Sequence, residues 1–370
     1  MEVKMSTPTV SFIVPCYKLA HLLGECVESI LRQSYADFEV LILDDCSPDN
    51  TAEVARSFND PRIKYIRNDP NLGHLRNYNK GITLSQGKYV WLISADDYLR
   101  KPHVLERYVD LMERHPNVGY VICPGYGVRD GLETRLLGAY SQRRDRDRIF
   151  RGHELLKRLL HSNFVLTPSG MVRRDCYENI SVFDLNMPWC GDWYLWCLYA
   201  LHHDVAYLSE PMVCYREQHD LSMTCQLTTD KLDACALEEI AIPWIIKKKA
   251  QDAGYSDLAK TCLEAIASTY ARTMATERYR GGTFFMNFDR FEESLAQHEA
   301  SAAERDYLRA QVSMRVGNEH YWQGDLKLAR KFYGAAIQKD PWMMAARVKR
   351  LLLALGKPGE YVRKTILAFR

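Results

Sequence analysis

Residues 10–51 read VSFIVPCYKLAHLLGECVESILRQSYADFEVLILDDCSPDNT, and their alternation decides the fold. The apolar run VSFIVP at 10–15 gives way to polar residues at 16–18 and then to the helical pattern HLLGECVESILRQ. FEVLILDD at 38–45 repeats the design, breaking at 44–49 before TAEVARSF, and YVWLISADD at 89–97 repeats it again with Asp96 and Asp97 at its end. IKYIRN at 63–68 follows, then a polar segment running to KGITLSQ. Strand and helix signals in this order predict a parallel sheet covered by helices. In such a sheet ligands collect beyond the carboxyl ends of the strands, where the polar clusters fall.

The chain has 370 residues, which points to two domains. Hydrophobic residues at 47% and charged residues at 26% mark a globular protein with a real core, and exclude a disordered or fibrous one. A formal net charge of +2 gives no global drive toward nucleic acid. The mixed run Arg143, Arg144, Asp145, Arg146, Asp147, Arg148 reads as a solvated loop, with contact to a phosphate-bearing acceptor or a membrane surface as the alternative. Eleven cysteines without a CxxC pair spell neither a zinc cage nor a disulfide framework, so a reducing compartment is expected. With neither a signal-peptide layout at the N-terminus nor a membrane-length apolar run, the expectation is a cytoplasmic protein, acting at the inner face of the membrane if it associates with one.

Beyond about residue 225 the texture turns helical, as in LDACALEEIAIPWIIKKKA and FEESLAQHEASAAERDYLRAQVSMR. The expected organisation is a catalytic domain at 1–225 and a helical extension at 226–370. Within 310–345, Gly317, Gly324, Ala329, Tyr333, Ala336 and Pro341 fall at the spacing of one tetratricopeptide repeat. A single helix pair forms no solenoid groove, so it packs on the protein's own body or on a second copy.

Each polar cluster carries an ordinary and a chemical reading. Tyr17 beside Pro15 is a loop tyrosine or a flat face for a nucleobase. Of Asp44 and Asp45, one could accept the N3 hydrogen of uracil or thymine, while Asp49 or Thr51 caps the helix that follows. Asp96 and Asp97 are loop caps or oxygen ligands for magnesium or manganese at a diphosphate. Asp192, in MPWCGDWYLWCLYAL, is a helix N-terminal acid or a general base in an apolar pocket, with Trp189, Trp193 and Trp196 core or a sugar-stacking wall.

Together and in this order, VSFIVPCYK, ESILRQSYADFEVLILDDCSPDNT, NLGHLRNYNKGI, GKYVWLISADDYL, NFVLTPSGMVRR, FDLNMPWCGDWYLWCLYAL and CYREQHDLSMT resemble the family 2 glycosyltransferases of the GT-A fold over residues 8–225. The resemblance implies an α/β, Rossmann-like nucleotide-diphospho-sugar transferase domain followed by the helical region. It implies that Pro15 and Tyr17 shape and stack the base, that Asp45 bonds its N3 edge, and that Asn71, Gly73, Arg76 and Asn77 line the sugar and diphosphate. Asp97 would coordinate a divalent Mn2+ or Mg2+, Asp96 would sit against the ribose and sugar, and Asp192 would be the base for an inverting displacement. His219, with Tyr215, Arg216 and Ser222, matches a segment that folds over the diphosphate and adds a metal or phosphate ligand.

Four positions depart from the family pattern: Cys16 and Lys18 replace the small residue and asparagine of VPxYN, Ser94 stands where a leading acid is common, and Gly191 replaces a glutamate before Asp192. The implied partners are a UDP- or dTDP-sugar donor and a saccharide or glycoconjugate acceptor, a lipid-linked one in surface polysaccharide synthesis included. Peripheral membrane association and self-association through the tail are further expectations. Two competing classes are weighed. A nucleotidyltransferase would need a glycine-rich basic loop that VPCYKLAHLLG lacks. A catalytically silent nucleotide-binding or scaffold protein acting through its tail fits less well with both Asp97 and Asp192 in place.

Overall fold

The computed structural model describes residues 7–140, 146–217, 229–275 and 286–354, which fall into two compact units, 1–226 and 227–370. In the first unit the strands are β1 (Val10–Cys16), β2 (Phe38–Asp44), β3 (Ile63–Arg67), β4 (Tyr89–Leu92), β5 (Tyr98–Leu99), β6 (Val118–Ile122), β7 (Gly125–Arg129), β8 (Leu132–Leu137), β9 (Arg148–Phe150), β10 (Met171–Arg173), β11 (Asp204–Tyr207) and β12 (Val213–Arg216). The helices between them are α1 (Ala20–Leu31), α2 (Thr51–Ser57), α3 (His74–Leu84), α4 (Val104–Arg114), α5 (Gly152–Leu159), α6 (Arg174–Asn179) and α7 (Gly191–His202).

Among the described residues the main sheet runs β3-β2-β1-β4-β10-β6-β11-β9. Its first four strands are parallel, as the alternation predicts, with Val10 opposite Phe38 and Tyr89. The expectation of a wholly parallel sheet needs correction, because β10 enters antiparallel between β4 and β6 and β9 closes the far edge antiparallel to β11. Short apolar strands buried on both faces carry no sequence mark of direction, so only the fold assigns it. A second sheet, β5-β12-β7-β8, also went unread; it sits directly after the Asp96–Asp97 turn and fixes that turn's far side.

β1 and β2 are buried along their whole length, and Phe12, Trp91 and Tyr108 stack in sequence beneath the sheet. Helix α3 falls in the segment read only as polar. Its buried stripe is Leu75, Asn77, Gly81 and Ile82, and a buried asparagine and glycine erase the apolar period that would have announced it. Gly81 is held to glycine by packing: a Cβ there would lie 2.5 Å from the side chains of Ile13 and Leu43. The charged run near 143–148 is partly a strand, since Arg148 opens β9 and Asp147 accepts from Ser209 and Arg107; residues 143–145 lie outside the described residues. Buried thiols such as Cys16, Cys123 and Cys176 are pushed up to about 12 by burial, in keeping with structural cysteines.

The second unit is helical: α8 (Thr229–Asp252), α9 (Ala259–Ala275), α10 (Phe288–Gln297), α11 (Ala302–Gln323), α12 (Leu326–Lys339) and α13 (Met344–Ala354). Leu308, Val312 and Val316 of α11 pack with Ile266 and Tyr270 of α9 and with Phe291. The tetratricopeptide-like pair is α11 and α12. Gly324 ends α11 in the left-handed region at φ 88°, and Gly317 lets the Tyr333 ring approach to 2.9 Å from where a Cβ would stand. Ala329, Tyr333 and Ala336 are fully buried against α11, while Pro341 precedes a third helix, α13. Among the described residues no helix is long and apolar enough to cross a membrane.

Candidate active site

The loop after β1 and the loop after β2 are tied together. Lys18 and Cys46 both adopt left-handed backbone conformations, at φ 59° and 62°, and the Lys18 N–H donates to the Ser47 hydroxyl at 3.0 Å. An asparagine tolerates that conformation and a lysine is strained by it, which explains the asparagine common at this place in VPxYN. Lys18→Asn is therefore expected to raise stability by about 0.5–1 kcal/mol, read from the denaturant midpoint. Tyr17 projects at 42% exposure, while Pro15 is buried in β1 and accepts through its carbonyl from the Ala95 N–H at 3.1 Å.

Asp44 and Asp45, adjacent in sequence, have separate tasks. The fully buried Asp44 accepts from Tyr65, Arg67 and the Ser47 N–H, so it is a structural acid that braces β3 against the loop. Asp45 is 4% exposed and shapes the next turn: Oδ1 accepts from Asn68 and the Leu72 N–H at 2.8 Å, and Oδ2 from the Gly73 N–H at 2.9 Å. Oδ2 retains room for another donor. Asn71 donates to the Asp45 carbonyl, Gly73 caps α3 at φ 78°, and Arg76 stands exposed on the first turn of α3. Asn77 points inward, bonding Asn68 and the Leu43 carbonyl, so it staples α3 to β2. Asp49 caps two helices, accepting from the N–H of Thr51 in α2 and of Ala20 in α1.

Asp97 is 4% exposed, and its carboxyl is held well above the usual carboxylate range by burial and then by the charge of Asp96. Its Oδ1 accepts from the Arg216 N–H at 3.0 Å. The Arg216 guanidinium donates to the Asp96 carbonyl at 3.0 Å and to Glu25 at 2.6 Å. One arginine at the end of β12 thus fixes the acidic turn from both sides. A buried carboxylate beside a second acid is the donor set a divalent cation would relieve, so Asp96 and Asp97 fit Mg2+ or Mn2+. His219 and Ser222 lie outside the described residues.

Asp192 opens α7, half-buried. Burial pushes its carboxyl above the ordinary aspartate value, while hydrogen bonds from Thr167 at 2.8 Å, the Trp193 N–H at 2.6 Å and Asn163 at 3.5 Å pull it back. Trp193 and Trp196 are core residues, each 4% exposed, the first donating to the Leu159 carbonyl and the second packed on Tyr120. Trp189 is only half-buried.

Tyr78 ties the clusters together. Its hydroxyl is raised first by burial and then by the charges of Asp96, Asp192 and Asp97, so the acidic turn after β4 and the start of α7, far apart in sequence, both act on one side chain of α3. Its ring lies edge-on to His74 and Phe183, at 5.7 and 5.3 Å.

Glycosyl transferase family 2 matches residues 11–180, a span that contains the loops after β1 and β2, α3 and the acidic turn. Over those residues this chain is similar to glycosyltransferase family 2. It is similar to an uncharacterized glycosyltransferase of Rickettsia typhi, 26% identical over 226 residues, which are 60% of this chain and 68% of that protein. It is also similar to glycosyltransferase GlyG of Streptococcus pneumoniae, 31% identical over 124 residues, which are 33% of this chain and 41% of that one. The fold matches a crystal structure of S. aureus TarS residues 1–349 with a TM-score of 0.61 at 17% identity, covering 89% of this chain and 91% of that one. The expected GT-A fold is therefore the observed one.

Of the candidate site, Tyr65, Arg67, Asn68, Tyr78 and Thr167 are not singled out by the sequence. Arg67 and Tyr65 sit one pleat apart at the end of β3 and announce nothing until β3 pairs with β2. Tyr78 and Thr167 lie inside segments that carried the resemblance, so their location was available and their roles were not. Arg216→Ala is expected to weaken divalent-metal binding about 10–100-fold, the usual cost of losing a group that orients a ligand, measured by calorimetric titration of Mn2+.

Proposed function

We propose that this chain moves a sugar, with inversion, from a UDP- or dTDP-sugar to a hydroxyl of a saccharide or glycoconjugate acceptor in glycan or surface polysaccharide synthesis. The observation that carries the reading is that the charges of Asp96 and Asp97, in the turn after β4, and of Asp192, at the start of α7, all act on the Tyr78 hydroxyl, which supports a diphosphate side and an acceptor side within one site. Asp192 takes the proton of the acceptor hydroxyl. That oxygen attacks the anomeric carbon as the bond to the diphosphate breaks on the opposite face. Its raised affinity for a proton, relative to a solvated aspartate, suits a base.

Tyr17 stacks the base, with Pro15 shaping the loop before it, and Asp45 accepts its N3 hydrogen through Oδ2. Asn71, Gly73 and Arg76 line the sugar and diphosphate, with Arg76 free to swing its guanidinium to an anion. Asp97 would hold the divalent ion, with Asp96 against the ribose and sugar and His219 as a further ligand; when bound, the ion neutralises charge developing on the departing diphosphate. A uridine donor is supported by the structure of S. aureus TarS in complex with UDP-GlcNAc, which has a TM-score of 0.58 to this chain.

The test is a thermal-shift screen of UDP, dTDP, GDP and CMP with and without Mn2+. Metal-dependent stabilisation by UDP or dTDP supports the reading, because a ligand that binds only the native state raises its melting temperature. Silence across all nucleotides would overturn it in favour of a scaffold acting through the helical unit.

A further inference from the structure

The second unit carries a groove of about 770 Å³ between α12 and α13 whose walls are basic. Lys327, Arg330 and Lys331 fall at i, i+3 and i+4 on one face of α12, and Arg350 reaches across from α13. The crossing brings the two helices close: a Cβ at Gly334 would stand 3.7 Å from the Arg350 guanidinium, an ordinary contact distance. All four cations are exposed, and among the described residues none of them forms an ion pair. Like charges at these spacings repel along a helix, so the arrangement costs the fold stability and returns it only when an anion is bound. The sequence at 355–370 supplies no net counter-charge, since it carries Lys357, Arg363, Lys364 and Arg370 against Glu360 alone.

We propose that this groove is a binding site for a phosphate-bearing polymer chain. Two ammoniums and a guanidinium along one face of α12, with the Arg350 guanidinium opposite them on α13, match an anion repeated along a chain, and the guanidinium fork suits phosphate oxygens. An acidic peptide is the weaker fit, because Leu326 and Leu353 are the large apolar side chains lining the groove and a peptide would need deeper apolar anchors. The occupant is then a stretch of phosphorylated saccharide acceptor, bound through phosphates along its chain rather than through the reacting hydroxyl. That identification rests on the transferase reading, whereas the charge match does not.

The experiment is fluorescence-detected binding of the full chain to long-chain polyphosphate, to polyglutamate of matched charge and to phosphatidylglycerol vesicles, at two salt concentrations. Wild type is expected to prefer polyphosphate, with affinity falling steeply as salt rises. The double variant Lys327→Glu, Arg330→Glu should lose at least about tenfold in affinity and Arg350→Gln a smaller factor, as charge-assisted contacts disappear. These side chains are exposed, and an unchanged thermal response to UDP in the variants shows that the first unit is intact. Equal binding of polyglutamate or vesicles, or unaltered polyphosphate affinity in both variants, overturns the proposal. A protein that binds polyphosphate through these residues yet ignores every nucleotide keeps the site and loses the transferase reading.

Discussion

Asp192→Asn is expected to lower turnover by about 10²–10⁴-fold, the range that a positioned base supplies, with donor binding unchanged. Asparagine keeps the shape: its Oδ1 can still accept from the Trp193 N–H and its amide NH2 can donate to the Thr167 hydroxyl, so the helix start should hold. What it removes is the capacity to take a proton. The pH profile gives an independent reading. Burial raises the Asp192 carboxyl, and a base works only when ionised, so wild-type turnover should fall on the acid side at higher pH than a solvated aspartate would allow. Thr167 donates to this carboxylate and lowers its proton affinity. Thr167→Val should therefore move the acid limb further toward neutral pH. A limb that stays in place in Thr167→Val, or unchanged turnover in Asp192→Asn, would sink the assignment.

The second large effect concerns Asp97. Replacement by alanine should abolish the metal-dependent part of donor binding, a loss on the order of 10²-fold or more, because the ion offsets several kcal/mol of diphosphate charge. Full activity in excess chelator would remove the metal from the scheme. Asp97→Asn offers a complementary test without metal. The folded-state proton affinity of Asp97 is raised above that of the unfolded chain, so the ionised form burdens the fold at neutral pH and the burden disappears as pH falls. In chelator, Asp97→Asn should melt at a higher temperature than wild type near pH 7 and match it in acid. Asparagine Oδ1 can still accept the Arg216 N–H that Asp97 holds at 3.0 Å. A protein stabilised by losing an acid, yet impaired in binding, is the usual signature of a site that gives up stability for function.

The fate of the acids shows how the two sources of information divide. Asp45, Asp96, Asp97 and Asp192 were legible because each follows an apolar run or opens an aromatic helix, and because their order along the chain matches a family. Asp44 was legible only as a neighbour. Its structural role depends on Tyr65 and Arg67, which reach it only through the pairing of β2 with β3. Arg216 could be named within its segment, but its grip on Asp96, Asp97 and Glu25 spans up to 191 residues of chain and follows from β12 closing on β5.

By itself the sequence determined the strand–helix alternation of the first unit, the polar strand ends where ligands gather, the helical character of the second unit and the small-residue contacts of α11 with α12. Those are local periodicities and turn chemistries, written within a few residues of one another. Tertiary structure alone decided the antiparallel insertion of β10, the helix hidden at 74–84, the joint influence of the Asp96–Asp97 turn and distant Asp192 on Tyr78, and the basic groove between α12 and α13. These arise from pairings between segments far apart along the chain, and no local pattern encodes which buried strand lies beside which or which charges are brought together.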